Sequence, residues 1–316
     1  MENNPKVSIC IPTYKQLEFL KRTLDSILQQ TYKDYEVIVS DDTADDSVFN
    51  LLKKYNFGSQ LKYYKNPVSL GSPKNWNEAI RHASGEYIKI LHHDDWFSFN
   101  NSLEEYVKML DENPESDFAF SGTIVYHADT NESRVYCIKE TILSKVIQDP
   151  LVIFFGNYIG GPSATIYRKK ANKFYDTEMK WIVDVDFYIS VLRENPKLVF
   201  NKNPLITTTT AASHSITTEV INSKEVNIFE QLHLYQKIKN RIDPKNKKIY
   251  LNYLWDLFKR YNVQTVKEIQ QLGIHEIPPE LKRLLFLKKF PSLFLKIYQK
   301  NIFPKKEIQN HPYFNL

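Results

Sequence analysis

A chain of 316 residues with 42% hydrophobic and 25% charged side chains carries enough apolar mass to bury its own core, which excludes the disordered and fibrous classes. The net charge of +5 is too small to argue for nucleic acid by itself, and two distant cysteines, Cys10 and Cys137, exclude a disulfide framework or a cysteine-based zinc site. No apolar run approaches the roughly 18 residues of a membrane span, and the opening MENNPKVSICIPTY does not read as a secretory signal, so a cytoplasmic, reducing location is expected.

KVSICIP reads as a first strand, after which Leu17, Leu20, Leu24, Ile27 and Leu28 recur at helical spacing. YEVIVSDD is the next strand, followed by a short helix around Val48 to Tyr55, and LKYYKN is a third. PKNWNEAIRHA carries proline where a helix start tolerates it, and Gly85 stops that helix before EYIKIL. Strands alternating with helices predict βαβ units, a mainly parallel sheet and right-handed crossovers. In such sheets ligands sit beyond the carboxyl ends of the strands. Three polar clusters fall there: PTY at 12–14, SDD at 40–42 and HHDD at 92–95. Each one alone also reads as an ordinary polar turn or a helix cap.

From about 116 to 215 the pattern changes. DFAFSGTIVYHAD and RVYCIKE suggest a strand pair, KVIQDPLVIFFG a helix or one broken at Pro150, and NYIGGPSATIYRKKA a glycine-bearing loop into a strand. WIVDVDFYISVLREN is an amphipathic helix with acids near its start, and KLVFNKNPLITTTTAASHSIT is a strand ending in a loop. The expected division is an α/β domain over 1–217 and a helical, basic-aromatic extension over 218–316.

Asp41 and Asp42 could accept hydrogen bonds from a nucleobase and ribose, since charged acceptors make the stronger bonds. Asp94 and Asp95 suit a hard cation such as Mg²⁺ or Mn²⁺, which needs few protein oxygens when a substrate phosphate supplies others. On a strand, His92 would share a face with Asp94, and His93 with Asp95, while the strand lasts. The other histidines are scattered without H-x-x-x-H spacing, which disfavours zinc hydrolase chemistry. Neither G-x-G-x-x-G nor G-x-x-x-x-G-K-[ST] occurs, so a diphosphate bound here needs a cation in place of a glycine cradle.

VSICIPTYKQLEFLKRTLDSILQQTYKDYEVIVSDDTADDS, continued by GEYIKILHHDDWF, resembles family 2 of the inverting nucleotide-sugar glycosyltransferases, which have the GT-A fold. The match is dense over 6–97 and recognisable to about 215. It implies a Rossmann-like mixed sheet flanked by helices, and hexosyl transfer from a nucleotide-sugar donor, a UDP-sugar in the first instance. The implied acceptor is a glycan or lipid-linked glycan, as in surface polysaccharide biosynthesis. By resemblance, Pro12, Thr13 and Tyr14 match the turn against the nucleobase, Asp41 the acid for base or ribose with Asp42 beside it, and Asn75 a nucleotide contact. Asp94 and Asp95 match the end of the D-x-D element, Asp95 holding Mn²⁺ or Mg²⁺ and Asp94 approaching ribose or sugar. His92 stands where many relatives carry the first aspartate. Asp184 matches the catalytic base, with Val183 in place of the usual preceding glutamate and Asp186 on the same turn. His214 matches a residue near the metal or diphosphate.

Residues 281–306 interleave eight lysines and arginines with leucines and phenylalanines, without an acid. Such a segment suits the inner face of an anionic membrane, or equally a helical subdomain packed on its own chain or on a second copy. No nucleic-acid motif accompanies the charge. Two competing readings remain: a non-catalytic nucleotide-sugar or glycan-binding subunit of the same fold, and a phosphohydrolase using HHDD.

Overall fold

The computed structural model describes residues 4–210, 220, 222–290 and 297. The chain divides into two compact units, Met1–Ile153 with Asn157–Thr218, and Phe154–Gly156 with Glu219–Leu316.

In the first unit, β1 (Val7–Thr13), α1 (Leu17–Leu28), β2 (Tyr35–Asp41), α2 (Ser47–Leu52), β3 (Leu61–Lys65), α3 (Lys74–Arg81) and β4 (Tyr87–Ile90) follow in the expected alternation. They are followed by β5 (Trp96–Phe97), α4 (Ser102–Asp111), β6 (Phe118–His127), β7 (Glu132–Tyr136), α5 (Glu140–Gln148), β8 (Thr165–Arg168), α6 (Val183–Glu194) and β9 (Leu198–Thr210). The strands form one sheet in the order β3-β2-β1-β4-β8-β6-β9-β5, with β7 also on β6. The β3-β2-β1-β4 half is parallel throughout, and β6 pairs β9 in parallel, while β8, β7 and β5 add antiparallel pairings. The expected mainly parallel mixed sheet flanked by helices is therefore present. Pro150 does break its helix, since α5 ends at Gln148 and a 3-10 turn runs over Pro150–Phe155.

Hydrophobic periodicity explains the packing. Every residue of β1 and β2 is buried, and α1 turns Leu20, Leu24 and Ile27 onto them. Each such side chain contributes about 1.5–3 kcal/mol by leaving water. Two elements escaped the sequence reading. Helix α4 buries Leu103, Tyr106, Val107 and Leu110, which do lie at helical spacing. Strand β5 is only two residues long and exists because β9 pairs with it, Trp96 opposite Thr207.

Register aligns the carboxyl ends that matter. Thr13 pairs with Asp41 and Cys10 with Ile90, so β1, β2 and β4 finish along one edge of the sheet. The opposite edge is locked by buried Glu36. Burial pushes its carboxyl up, but Lys62 at 2.6 Å and hydrogen bonds from Ser8 and Ser84 outweigh burial and hold it down at about 2. Gly85 beside this network does more than stop a helix, because a Cβ there would lie 2.7 Å from Ser8 N and 2.8 Å from Val7 C.

The second unit holds α7 (Lys224–Ile238), α8 (Lys247–Arg260), α9 (Val266–Gln271) and α10 (Pro279–Leu287). Ser223 caps α7, and a reciprocal Thr265–Glu268 capping box starts α9. The Phe154 ring lies 5.0 Å from that of Tyr250, and Gln231 donates to the Phe154 carbonyl at 3.0 Å. On α10, Leu281, Leu284 and Leu285 face inward, whereas Phe286 is exposed, as are Phe290 and Ile297 beyond it.

Candidate active site

Strand β4 stops at Ile90, and the chain then folds back, with Asp95 N–H donating to the His92 carbonyl at 3.0 Å. Three hydroxyl side chains clamp this turn. Thr23 of α1 places its oxygen 2.9 Å from the His93 carbonyl and 2.8 Å from that of Asp95. Thr209 of β9 donates its N–H to Asp95 Oδ1 at 3.0 Å and its hydroxyl to the Asp94 carbonyl. Ser163 accepts the His92 N–H at 3.0 Å and donates to the Asp95 carboxylate. The result corrects the strand-face expectation. Alternation would set His92 and Asp94 apart from Asp95, but the turn gathers all three, one donor atom of each lying within 4.8 Å of the others.

The electrostatics of this turn would accommodate a cation. Burial drives the Asp95 carboxyl well above the usual carboxylate range, the neighbouring charge of Asp94 pushes the same way, and Ser163, Thr209 and Lys89 only partly oppose them. Burial lowers the His92 imidazole to about 4 despite Asp94, so the ring is neutral at pH 7. Among the described residues its Nε2 is sealed from solvent without a hydrogen-bond partner. Its ring lies 4.5 Å from that of Trp76. Two carboxylates and a neutral imidazole are a donor set that fits a divalent ion. Beneath them Lys89 is wholly buried, its amine donating to the Ser163 carbonyl and lying 4.5 Å above the Tyr106 ring. Burial pulls that amine well below its usual value.

The residues expected at the nucleotide lie along the same edge. The Pro12 carbonyl is 3.3 Å from His93 Nδ1, and the Thr13 carbonyl accepts from Asp42 N–H at 3.0 Å and Asn75 Nδ2 at 3.3 Å. Tyr14 stands exposed at the rim, with the Lys15 amine 4.9 Å from its ring. Asp41 is fully buried and accepts from Thr43 N–H at 2.7 Å and Tyr63 OH at 2.8 Å. Asp42 holds the following loop, accepting from Asn66 Nδ2, Leu70 N–H and Gly71 N–H at 2.8–3.0 Å. His214 lies outside the described residues.

Asp184 sits in the first turn of α6 and accepts from Asn157 Nδ2 at 2.6 Å. Asn157 also accepts the Gly160 N–H at 2.9 Å, and Tyr188 donates to the Gly160 carbonyl at 2.8 Å. Gly160 has φ 102°, a conformation glycine adopts without strain. One short loop, 157–163, thus touches Asp184 at its start and Asp95 at its end. Asn157, Thr23, Thr209 and Lys89 were not singled out from sequence, because nothing in their spacing marks them. Ser163 stands out in the sequence only as part of the glycine-bearing loop NYIGGPSATIYRKKA.

The family model of glycosyl transferase family 2 matches residues 8–175, just over half of the chain. The chain belongs to glycosyl transferase family 2. Among its relatives, the uncharacterised glycosyltransferase MJ1057 of Methanocaldococcus jannaschii is 28% identical over 81% of this chain and 86% of its own length. WcaA of Escherichia coli K12, described as a colanic acid biosynthesis glycosyl transferase, is 25% identical over 81% of this chain and 90% of its own. Against two other curated relatives, from Rickettsia bellii and Bacillus subtilis, the chain spans only 21% and 46% of their lengths. Two solved structures share the GT-A fold. Staphylococcus aureus TarS 1–349 in complex with UDP-GlcNAc superposes at TM-score 0.55 with 18% identity, covering 96% of this chain and 91% of that one. The mannosyltransferase PcManGT of Pyrobaculum calidifontis, in complex with GDP-Man and Mn²⁺, superposes at 0.53 with 15% identity, covering 96% and 89%. The resemblance read from the motifs at 6–97 is confirmed, in family and in fold.

The raised Asp95 carboxyl has a measurable consequence. Its protonated form is favoured by folding, so its contribution to stability is full below the ordinary carboxylate range and is lost as pH rises toward its folded value. In metal-free buffer, Asp95→Asn is expected to be more stable than wild type to urea at about pH 8, with the gap closing near pH 4. A variant less stable than wild type at both values would contradict the burial of an uncompensated charge.

Proposed function

We propose that this chain transfers a sugar with inversion from a nucleoside-diphosphate sugar, a UDP-sugar in the first instance, to a hydroxyl of a glycan or lipid-linked glycan. Residues 1–217 form the catalytic domain on this reading. The observation that carries it is the gathering of His92, Asp94 and Asp95 at the carboxyl end of β4. That site lies beside the strand ends that bear Pro12, Thr13 and Asp41.

Asp95, with Asp94 beside it, would hold Mn²⁺ or Mg²⁺, and His214 is proposed to approach the same ion or the diphosphate. A divalent ion bound there supplies Lewis-acid stabilisation of the leaving diphosphate. Pro12, Thr13 and Tyr14 would flank the base, Asp41 and Asp42 the base or ribose, Asn75 the nucleotide, and Asp94 the ribose or sugar. Asp184 takes the proton of the acceptor hydroxyl as that oxygen attacks the anomeric carbon from the side opposite the diphosphate. Asn157 Nδ2 holds one carboxylate oxygen of Asp184 at 2.6 Å and the Val185 N–H holds the other at 2.8 Å, which together fix the orientation of the carboxylate. The TarS and PcManGT complexes with nucleotide sugars support the donor class, and WcaA supports a place in polysaccharide assembly.

The extension, 218–316, is proposed to rest on the inner face of an anionic membrane. The exposed Phe286, Phe290 and Ile297 and the acid-free basic run support this. No described helix is long and apolar enough to cross a membrane. Replacing Phe286 and Phe290 by glutamate is expected to abolish co-sedimentation with phosphatidylglycerol vesicles. Undiminished sedimentation, or a loss of self-association instead, would favour a role for that face between copies of the chain.

The assignment of the base is tested with a panel of nucleotide sugars and glycan acceptors. Asp184→Asn should lower transfer by about 10²–10⁴-fold, the usual worth of a positioned general base, while leaving donor affinity unchanged. Full activity in that variant sinks the assignment, and donor binding without turnover in wild type points to a non-catalytic binding subunit.

A further inference from the structure

We infer that His92 is a ligand of the cation, so that this site is a mixed imidazole and carboxylate site that selects first-row transition ions over Mg²⁺. The inference rests on the proposed metal dependence and adds the identity of a ligand and the class of ion.

Three observations support it. One ring nitrogen of His92 and one oxygen each of Asp94 and Asp95 lie within 4.8 Å of one another. Donors on one ion with bonds of about 2.1 Å stand roughly 3–4 Å apart, so modest side-chain adjustment closes the set. The ring is also fixed before any ion arrives. Its backbone N–H is tied to Ser163 at 3.0 Å, its carbonyl accepts from Asp95 N–H at 3.0 Å, and its face lies against Trp76 with ring centres 4.5 Å apart. Finally, the buried Nε2 has no hydrogen-bond partner among the described residues. A buried imidazole nitrogen left so forfeits the hydrogen bond it would make in water, and ligation, at either nitrogen, gives the ring a polar role that packing against Trp76 does not.

Donor chemistry then decides the ion. Imidazole suits first-row transition ions, whereas Mg²⁺ is held by carboxylate, carbonyl and water oxygens and keeps several waters. An all-aspartate version of this turn would have a weaker preference. The histidine therefore acts as a selector for the metal.

The test uses the full chain stripped of metal and titrated with Mn²⁺ alone and with Mg²⁺ alone. Calorimetry should show Mn²⁺ binding at least about tenfold more tightly, with His92→Asp narrowing the gap to about threefold or less. Pulsed EPR of the Mn²⁺ complex, with ¹⁵N-labelled histidine, should show imidazole-nitrogen coupling. That coupling should persist in His82→Ala and in His214→Ala, and should vanish when His92→Ala or His92→Gln is added to His214→Ala, two variants that guard against misfolding of either. Bound Mn²⁺ without nitrogen coupling, coupling that is lost in His214→Ala or survives the added His92 substitutions, or equal affinity for Mg²⁺ each overturns the inference. These failures are separable from failure of the proposed function. Sugar transfer with an all-oxygen ion site sinks only the role of His92, and nitrogen-coupled Mn²⁺ in a protein that turns over no donor supports that role while sinking the transferase reading.

Discussion

A carboxylate buried beside another carboxylate is the constraint on which this structure turns. Asp95 is 6% exposed and Asp94 precedes it in the chain, so each ionised form raises the cost of the other. Hydrogen bonds from Ser163 and Thr209 offset part of that cost, each to a charged acceptor and so worth about 1.5–3 kcal/mol. Lys89 offsets little more, because its own amine is buried and weakly basic. What remains is compensated most directly by a divalent cation. The protein thus carries at the end of β4 an excess of buried negative charge, which the proposed divalent ion would offset.

The rest of the first unit serves to hold that arrangement. The parallel register brings the ends of β1, β2 and β4 to one edge, α1 lends Thr23, β9 lends Thr209, and the 157–163 loop lends Ser163. Elements far apart in sequence therefore meet on one four-residue turn. The same loop fixes Asp184 through Asn157, so the group proposed to take the acceptor proton and the group proposed to hold the ion share a support. Displacing one is felt by the other through seven residues of chain.

Much of this was legible in the sequence. The strands at 7–13, 35–41 and 87–90 announce themselves as short apolar runs, and the acids that follow them fall at their carboxyl ends because the chain must turn there. Family motifs then assigned Asp95 and Asp184 their proposed roles. The pairing of His92 with Asp95 was not legible, because it depends on the strand ending at Ile90 and folding back, and strand periodicity carries no information beyond the last paired residue. Thr23, Ser163 and Thr209 were hidden for a related reason. They act by single hydroxyl or amide bonds to a distant backbone, and such contacts leave no pattern along the chain. Strand β5 owes its existence to β9 more than to its own two residues.

On the proposed function, the 92–95 turn binds a nucleoside diphosphate through a divalent ion. Calorimetry of UDP binding to the wild-type chain, with Mn²⁺ and then with the ion chelated, tests it most directly. UDP binding should be strongly enhanced by Mn²⁺ and weakened by at least about tenfold on chelation. UDP affinity that is the same with and without the ion would contradict it.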